Sequence, residues 1–282
     1  MTTSATAGRR VYFVGHSFHM FIVRPLIYLA REAGVEGHWA EGWDMIGGST
    51  PTQHWERGGD DNEVKAALRS GRVEVLTLAT NVIVPEPAID LFADLALAHN
   101  PDVRVMVQQS WGDTSTNLIM QARHGRAPEP EPGTVPANED RDRATAADLA
   151  ALGARMDDTL DRLRIQLDGV DARHGRPVTT VVPAGKAVLA LREAAVAGEV
   201  PGVARQSELF RDALGHATQP TMDVVTYLWL AALYGVPLDG LTTLVEAGDP
   251  TSAPRQRVLQ AIAVDALAAE PRRGAPPAAL AG

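Results

Sequence analysis

Ser17, Gly48, Asn81 and His216 are the residues whose types and placement point to chemistry, with Asp212 four residues before the histidine. Acyl transfer needs a nucleophile, a base to take its proton, an acid to orient the base, and donors for the oxyanion. Ser17 supplies a hydroxyl, His216 an imidazole and Asp212 a carboxylate. The N–H groups of Ser17 and Gly48 and the side-chain amide of Asn81 can act as donors. Each comes from a different segment, so only the fold can bring them together.

The elements that must position them are readable. Val11 to Val14 is apolar, β-branched and aromatic, too short for a buried helix, and reads as a strand ending in Gly15. Phe21 to Gly34 reads as an amphipathic helix with Gly34 as its stop. Ser17 then lies between a strand end and a helix start, near free N–H groups that favour negative charge. Ligands of open α/β sheets bind outside the carboxyl ends of strands. Further strands are expected at His38 to Glu41, Val73 to Ala79, Val103 to Gln108 and Val178 to Val182. Helices are expected at Asn62 to Gly71, Glu86 to Asn100, Ala144 to Ala172, Lys186 to Ala197, Thr221 to Tyr234 and Arg255 to Ala269. Strands alternating with helices imply a parallel sheet. Gly48 falls in a loop from Asp44 to Pro51, and Asn81 just past the third strand.

Trp111 to Asp142 breaks the pattern. Residues 127 to 140 are rich in proline and acid, and read as unable to hold a helix or a central strand. A loop this long is expected to be a mobile lid over the strand ends. The tail from Glu270 is rich in Pro, Ala and Gly and is expected to fray. The organisation expected is one domain over 9–270, with 111–142 as a lid-like insertion and 271–282 as a disordered tail.

The 282 residues carry a net charge of −9, with 45% hydrophobic and 22% charged residues. That balance suits a globular protein and argues against a nucleic-acid or anionic-membrane surface. Without cysteine there are no disulfides, thiolate metal sites or cysteine nucleophiles. No stretch approaches the roughly 18 apolar residues of a membrane span. Met1 to Gly8 lacks the features of a signal peptide, so a cytoplasmic location is expected. His16 and His19 are three apart, but a metal needs three or four ligands, and none is expected.

The strand-end blocks resemble the SGNH (GDSL-like) hydrolase family. The matches are Gly15-His16-Ser17, Gly48-Ser49-Thr50, Ala79-Thr80-Asn81-Val82 and Asp212-Ala213-Leu214-Gly215-His216, in family order over residues 10 to 235. The chain departs from the pattern in four places. His16 stands where an aspartate precedes the nucleophile, and Val82 where one follows the asparagine. One extra residue separates Asp212 from His216, and Ala217 stands where proline is common. The resemblance implies a three-layer α/β/α, flavodoxin-like fold with a five-stranded parallel sheet. It also implies a serine esterase without cofactor, Ser17 being the nucleophile, His216 the base and Asp212 its orienting acid. Asp223 and Glu208 are the nearest other acids in sequence.

Trp39, Trp43, Trp55 and Trp111 fall in or beside strand-end loops, where a sugar ring can stack. His16, Trp43 and Trp111 are accordingly the expected substrate contacts, and an acetylated sugar the first substrate expected. The rival reading is a non-catalytic protein on the same fold, binding an anion or nucleotide at the turn after the first strand. That turn has no second glycine and no Ser/Thr/Gly-rich phosphate cradle.

Overall fold

The computed structural model describes residues 6–59, 62–248 and 252–274. Five parallel strands form its sheet: β1 (Arg10–Gly15), β2 (Trp39–Met45), β3 (Val75–Ala79), β4 (Arg104–Gln108) and β5 (Thr179–Val182). Their spatial order is β2-β1-β3-β4-β5, every neighbour pair parallel. The class is α/β in three layers, of flavodoxin-like type. Each expected strand is present, and β2 runs longer than the pattern of His38 to Glu41 suggested.

Side chains along a strand alternate between faces, and here the two sets enter two cores. Val11, Phe13, Val75 and Met106 face one layer, which includes α1 (Val23–Glu32), α7 (Ala184–Val196), α8 (Gln219–Tyr234) and α9 (Ala253–Ala268). Tyr12, Val14, Leu76, Leu78, Val105 and Val107 face the other, built from α3 (Glu63–Arg69), α4 (Ala88–His99) and most of α6 (Ala146–His174). The first turns of α6 reach the opposite core through Leu149, Leu152 and Met156. With both faces covered, the inner strands need continuous apolar sequence, as Val75–Ala79 supplies.

Three parts differ from the sequence reading. The Asp44 to Pro51 loop leads into a short helix, α2 (Pro51–Glu56), opened by Thr50 with Gln53 in a capping box. The 111–142 insertion is not one open loop. It holds α5 (Thr114–Arg123), capped by Asp113, and a 3₁₀ turn at Asn138–Arg143. Finally, the start of the tail is anchored. Glu270 is buried and accepts from Arg164 at 3.2 and 2.7 Å, and the Val181 N–H donates to the Arg272 carbonyl at 2.9 Å. Residues 270–274 thereby cover the open edge of β5, where unpaired backbone would otherwise face solvent. The remainder of the tail, 275–282, lies outside the described residues. Among the described residues no helix is long and apolar enough to cross a membrane.

The strand order places the site. From β1 the chain moves to one side for β2 and to the other for β3. That reversal opens a crevice at the carboxyl ends, where ligands of such sheets bind. Ser17 follows β1, Gly48 follows β2 and Asn81 follows β3, so three strands adjacent in space deliver the three residues.

Candidate active site

Ser17 is half-buried in the turn between β1 and a 3₁₀ turn at Met20–Ile22 that leads into α1. The turn is built by His16. Its carbonyl accepts from the N–H groups of His19 and Met20, at 2.9 and 3.0 Å. Its ring Nδ1 accepts from the Phe18 N–H at 3.2 Å, and its Nε2–H donates to the Thr80 carbonyl at 3.0 Å. Burial, with other histidines nearby, lowers the His16 pKa to about 4, so the ring is neutral. Both ring nitrogens are thus engaged with backbone. His16 lines the cavity at Ser17 but shapes the turn.

Ser17 Oγ lies 2.9 Å from His216 Nε2, and His216 Nδ1 lies 2.6 Å from Asp212 Oδ2. A carboxylate only accepts, so the ring proton sits on Nδ1 and Nε2 is free to accept from the serine. The four-residue gap from Asp212 to His216 is not a helical turn. Phe210 and Ala217 pair as an antiparallel bridge, and the loop between them turns at Gly215, whose φ of +93° suits glycine. The N–H groups of Gly215 and His216 both donate to Asp212 Oδ1, each at 3.1 Å. Partial burial works to raise the Asp212 pKa. The donors from His216 and Gly215 outweigh it and hold the carboxyl below its ordinary value. The other acids are committed elsewhere. Asp223 is buried against Gln219 and Gln256, with its pKa raised to about 6 by burial. Glu208 accepts from the Ala204 N–H at 2.8 Å.

The 111–142 insertion clamps this loop. Arg141 donates to the carbonyls of Asp212 and Ala213 at 3.1 and 2.8 Å, Thr116 to that of Leu214 at 2.8 Å, and the Trp111 indole N–H to that of Gly215 at 2.9 Å. The His216 carbonyl accepts from the Arg211 N–H at 2.9 Å. Five consecutive carbonyls therefore have donors, and Asp113 holds the Arg141 guanidinium from behind at 2.8 Å. Trp111 stacks on Phe18 at 4.6 Å, and Phe18 meets the His216 ring edge-on at 5.4 Å. Trp111 is buried as a brace, with its face covered.

Asn81 reaches the neighbouring turn. Val82 N–H donates to its Oδ1 at 2.6 Å, which leaves Nδ2 facing the Gly48 carbonyl at 3.1 Å, the Ser49 carbonyl at 3.4 Å and Met120 Sδ at 3.3 Å. His124 also donates to the Gly48 carbonyl, at 2.9 Å. Gly48 has φ of +66°, and a Cβ there would meet the Arg123 guanidinium at 2.3 Å. One small cavity is lined by Ser17, Gly48 and Asn81 together, with Phe18, Met120 and Leu214 as apolar wall. Trp43 is not brought there. It is 60% exposed on the edge strand β2 and lines no part of this cavity.

A second serine, histidine and aspartate lie beneath the Gly48 turn. The Ser49 hydroxyl donates to His54 Nε2 at 2.7 Å, and His54 Nδ1–H donates to Asp44 Oδ2 at 2.7 Å. Arg57 pairs with the other Asp44 oxygen. All three residues of this set are buried, and burial lowers the His54 pKa to about 4. Sequence reasoning missed it. The visible signal was the Thr50-Pro51-Thr52-Gln53 helix start, which folds Ser49 and His54 towards each other. Arg141 and Met120 gave no comparable signal.

No protein-family model matches the chain, and no curated protein matches it in sequence. Among solved structures, a DUF4886 family protein from Bacteroides uniformis superposes with a TM-score of 0.52 at 12% identity, over 92% of this chain and 95% of that one. A lipopolysaccharide acetyltransferase periplasmic domain from Salmonella serovar Paratyphi A superposes with a TM-score of 0.40 at 13% identity, over 80% and 82%. The Bacteroides likeness is one of fold.

Proposed function

We propose that the chain is a serine ester hydrolase of SGNH type acting on small acyl esters. The observation that carries the reading is the hydrogen-bonded line Ser17–His216–Asp212, at 2.9 and 2.6 Å, whose serine lines a cavity together with Gly48 and Asn81. Ser17 Oγ attacks the ester carbonyl while His216 Nε2 takes its proton. Asp212 fixes the ring tautomer and stabilises the imidazolium. The carbonyl oxygen becomes an oxyanion, met by the N–H groups of Ser17 and Gly48 and by Asn81 Nδ2. The Asn81 amide has two N–H groups, and one of its partners is the Met120 sulfur, a weak acceptor that an oxyanion displaces readily. Collapse breaks the ester C–O bond, and His216 returns the proton to the departing alcohol. Water then attacks the acyl-serine with His216 as base, and the carboxylic acid leaves. The apolar wall of Phe18, Met120 and Leu214 suits a short acyl group such as acetyl.

The test is labelling by a fluorophosphonate probe. Wild type should be labelled at Ser17 and should hydrolyse p-nitrophenyl acetate. A folded protein that takes up no label and cleaves no ester would leave the binding-protein reading in its place.

A further inference from the structure

A cleft of about 480 Å³ opens beside the catalytic cavity, between α5 and α6. The cleft and the cavity share Val82 and Ser110 as walls. A group attached to an acyl carbon at Ser17 can therefore extend into the cleft. Its volume falls in the range of small-molecule sites, about 300–1,000 Å³.

The lining is unusual in what it leaves unspent. α5 presents Asn117 and Gln121, and α6 presents Arg155 and Thr159. Each pair is four residues apart and so lies on one helix face. Among the described residues, the side chains of Asn117, Gln121 and Arg155 make no hydrogen bond or ion pair. Asp113, the acid on this wall, is held by Arg141 at 2.8 Å and does not pair with Arg155. Gln109, 1% exposed, also lines the cleft, and its Oε1 has no partner among the described residues. Leu152 and Met156 supply a buried apolar floor.

Amides and a guanidinium on two sides of an apolar floor match a ring that carries hydroxyls at its rim and C–H bonds on its face. We infer that this cleft holds the alcohol half of the ester, and that the alcohol is a polyhydroxylated ring of sugar type. Asn117, Gln121 and Arg155 are then its specificity determinants. The inference rests on the esterase reading for which half of the substrate sits where. It locates sugar recognition away from the tryptophans, whose faces do not line the cavity or the cleft except for the covered Trp111.

Two esters with the same acyl group isolate the alcohol side: 6-O-acetylglucose and ethyl acetate. Gln121→Ala and Arg155→Ala should each lower kcat/KM for the sugar ester at least about tenfold more than for ethyl acetate, mainly through KM. Equal losses on both esters would overturn the assignment. A second arm does not need catalysis. In Ser17→Ala, 6-O-acetylglucose should shift the amide resonances of residues around Gln121 and Arg155. If fluorophosphonate fails to label the wild type yet these shifts occur, the esterase reading falls and the cleft stands. If labelling succeeds but the shifts and the discrimination are both absent, the cleft assignment alone falls.

Discussion

Two sets of serine, histidine and aspartate lie on either side of the Gly48 turn, and they differ in access. In Ser17–His216–Asp212 the His216 side chain is 22% exposed and the serine faces a cavity. In Ser49–His54–Asp44 the distances are as short, 2.7 and 2.7 Å, but Ser49 and His54 are each 1% exposed. Hydrogen-bond geometry alone thus does not make a nucleophile. A reacting carbonyl must reach the oxygen, and an oxyanion must find donors beside it. Ser49 has neither. Its carbonyl faces Asn81 and its hydroxyl faces inward, so the buried set serves as a support for the turn that carries the Gly48 N–H.

The largest effect separates the two serines. Ser17→Ala should abolish fluorophosphonate labelling and hydrolysis of p-nitrophenyl acetate while keeping the fold, since one hydroxyl is lost. Ser49→Ala should still be labelled, and should melt at a lower temperature because His54 loses a buried donor. Labelling that survives in Ser17→Ala would break the comparison at its root.

Next come the two acids. Asp212→Asn should cost up to ~10⁴ in kcat, because an amide facing Nδ1 favours the wrong ring tautomer. A fall of less than about tenfold would remove Asp212 from the role. Replacing Asp44 by asparagine should act chiefly on stability, since Asp44 touches no reacting group and asparagine, with one acceptor oxygen and an NH2 in place of the other, cannot accept from both Arg57 and His54.

Asn81→Ala tests the turn between the two sets. The amide is proposed as an oxyanion donor and also bonds the Gly48 carbonyl at 3.1 Å. A loss of about a hundredfold in kcat with a smaller change in KM is expected for a donor that acts in the transition state. A loss confined to KM would make Asn81 a substrate-positioning residue.

Much of this arrangement was legible before the structure. Ser17, Gly48 and Asn81 were readable because each follows a strand, and strand ends in a parallel sheet converge. Strand order supplied what sequence could not: β2, β1 and β3 are neighbours, so the three residues meet. The same order explains Trp43. Its strand lies at the sheet edge, and an edge cannot be told from a centre by local pattern. The extra residue between Asp212 and His216 departs from the family pattern, and Gly215 inside that gap is the readable signal of the left-handed turn that closes it. The insertion read as a lid because of its prolines. Its Asp113 cap, with Thr116 three residues on, was a readable helix start. Arg141 was not readable at all. It sits in a run of alternating acids and arginines, and its carbonyl partners lie 71 and 72 residues away.

The smallest expected effect concerns pH. His16, His19 and His54 are buried, and burial lowers their pKa values to about 4, 3 and 4 from an ordinary 6.5. In the unfolded chain each takes up a proton as the pH falls through 6.5, while in the folded chain each stays neutral. The unfolded state therefore binds more protons between pH 6.5 and about 4. Stability from keeping these rings neutral is fully present above pH 6.5 and is lost progressively as the pH falls towards 4. Each ring contributes a slope of at most about 1.4 kcal/mol per pH unit in that window. His54→Asn removes one of the three. The variant should be less stable than wild type at pH 7.5, because asparagine cannot serve Ser49 and Asp44 together. Its further loss between pH 6.5 and 5 should be smaller than that of wild type. Urea unfolding at several pH values measures both quantities. An unchanged slope would show that His54 carries its proton in the folded protein, and the buried set would then be an ion pair with Asp44 instead of a neutral relay.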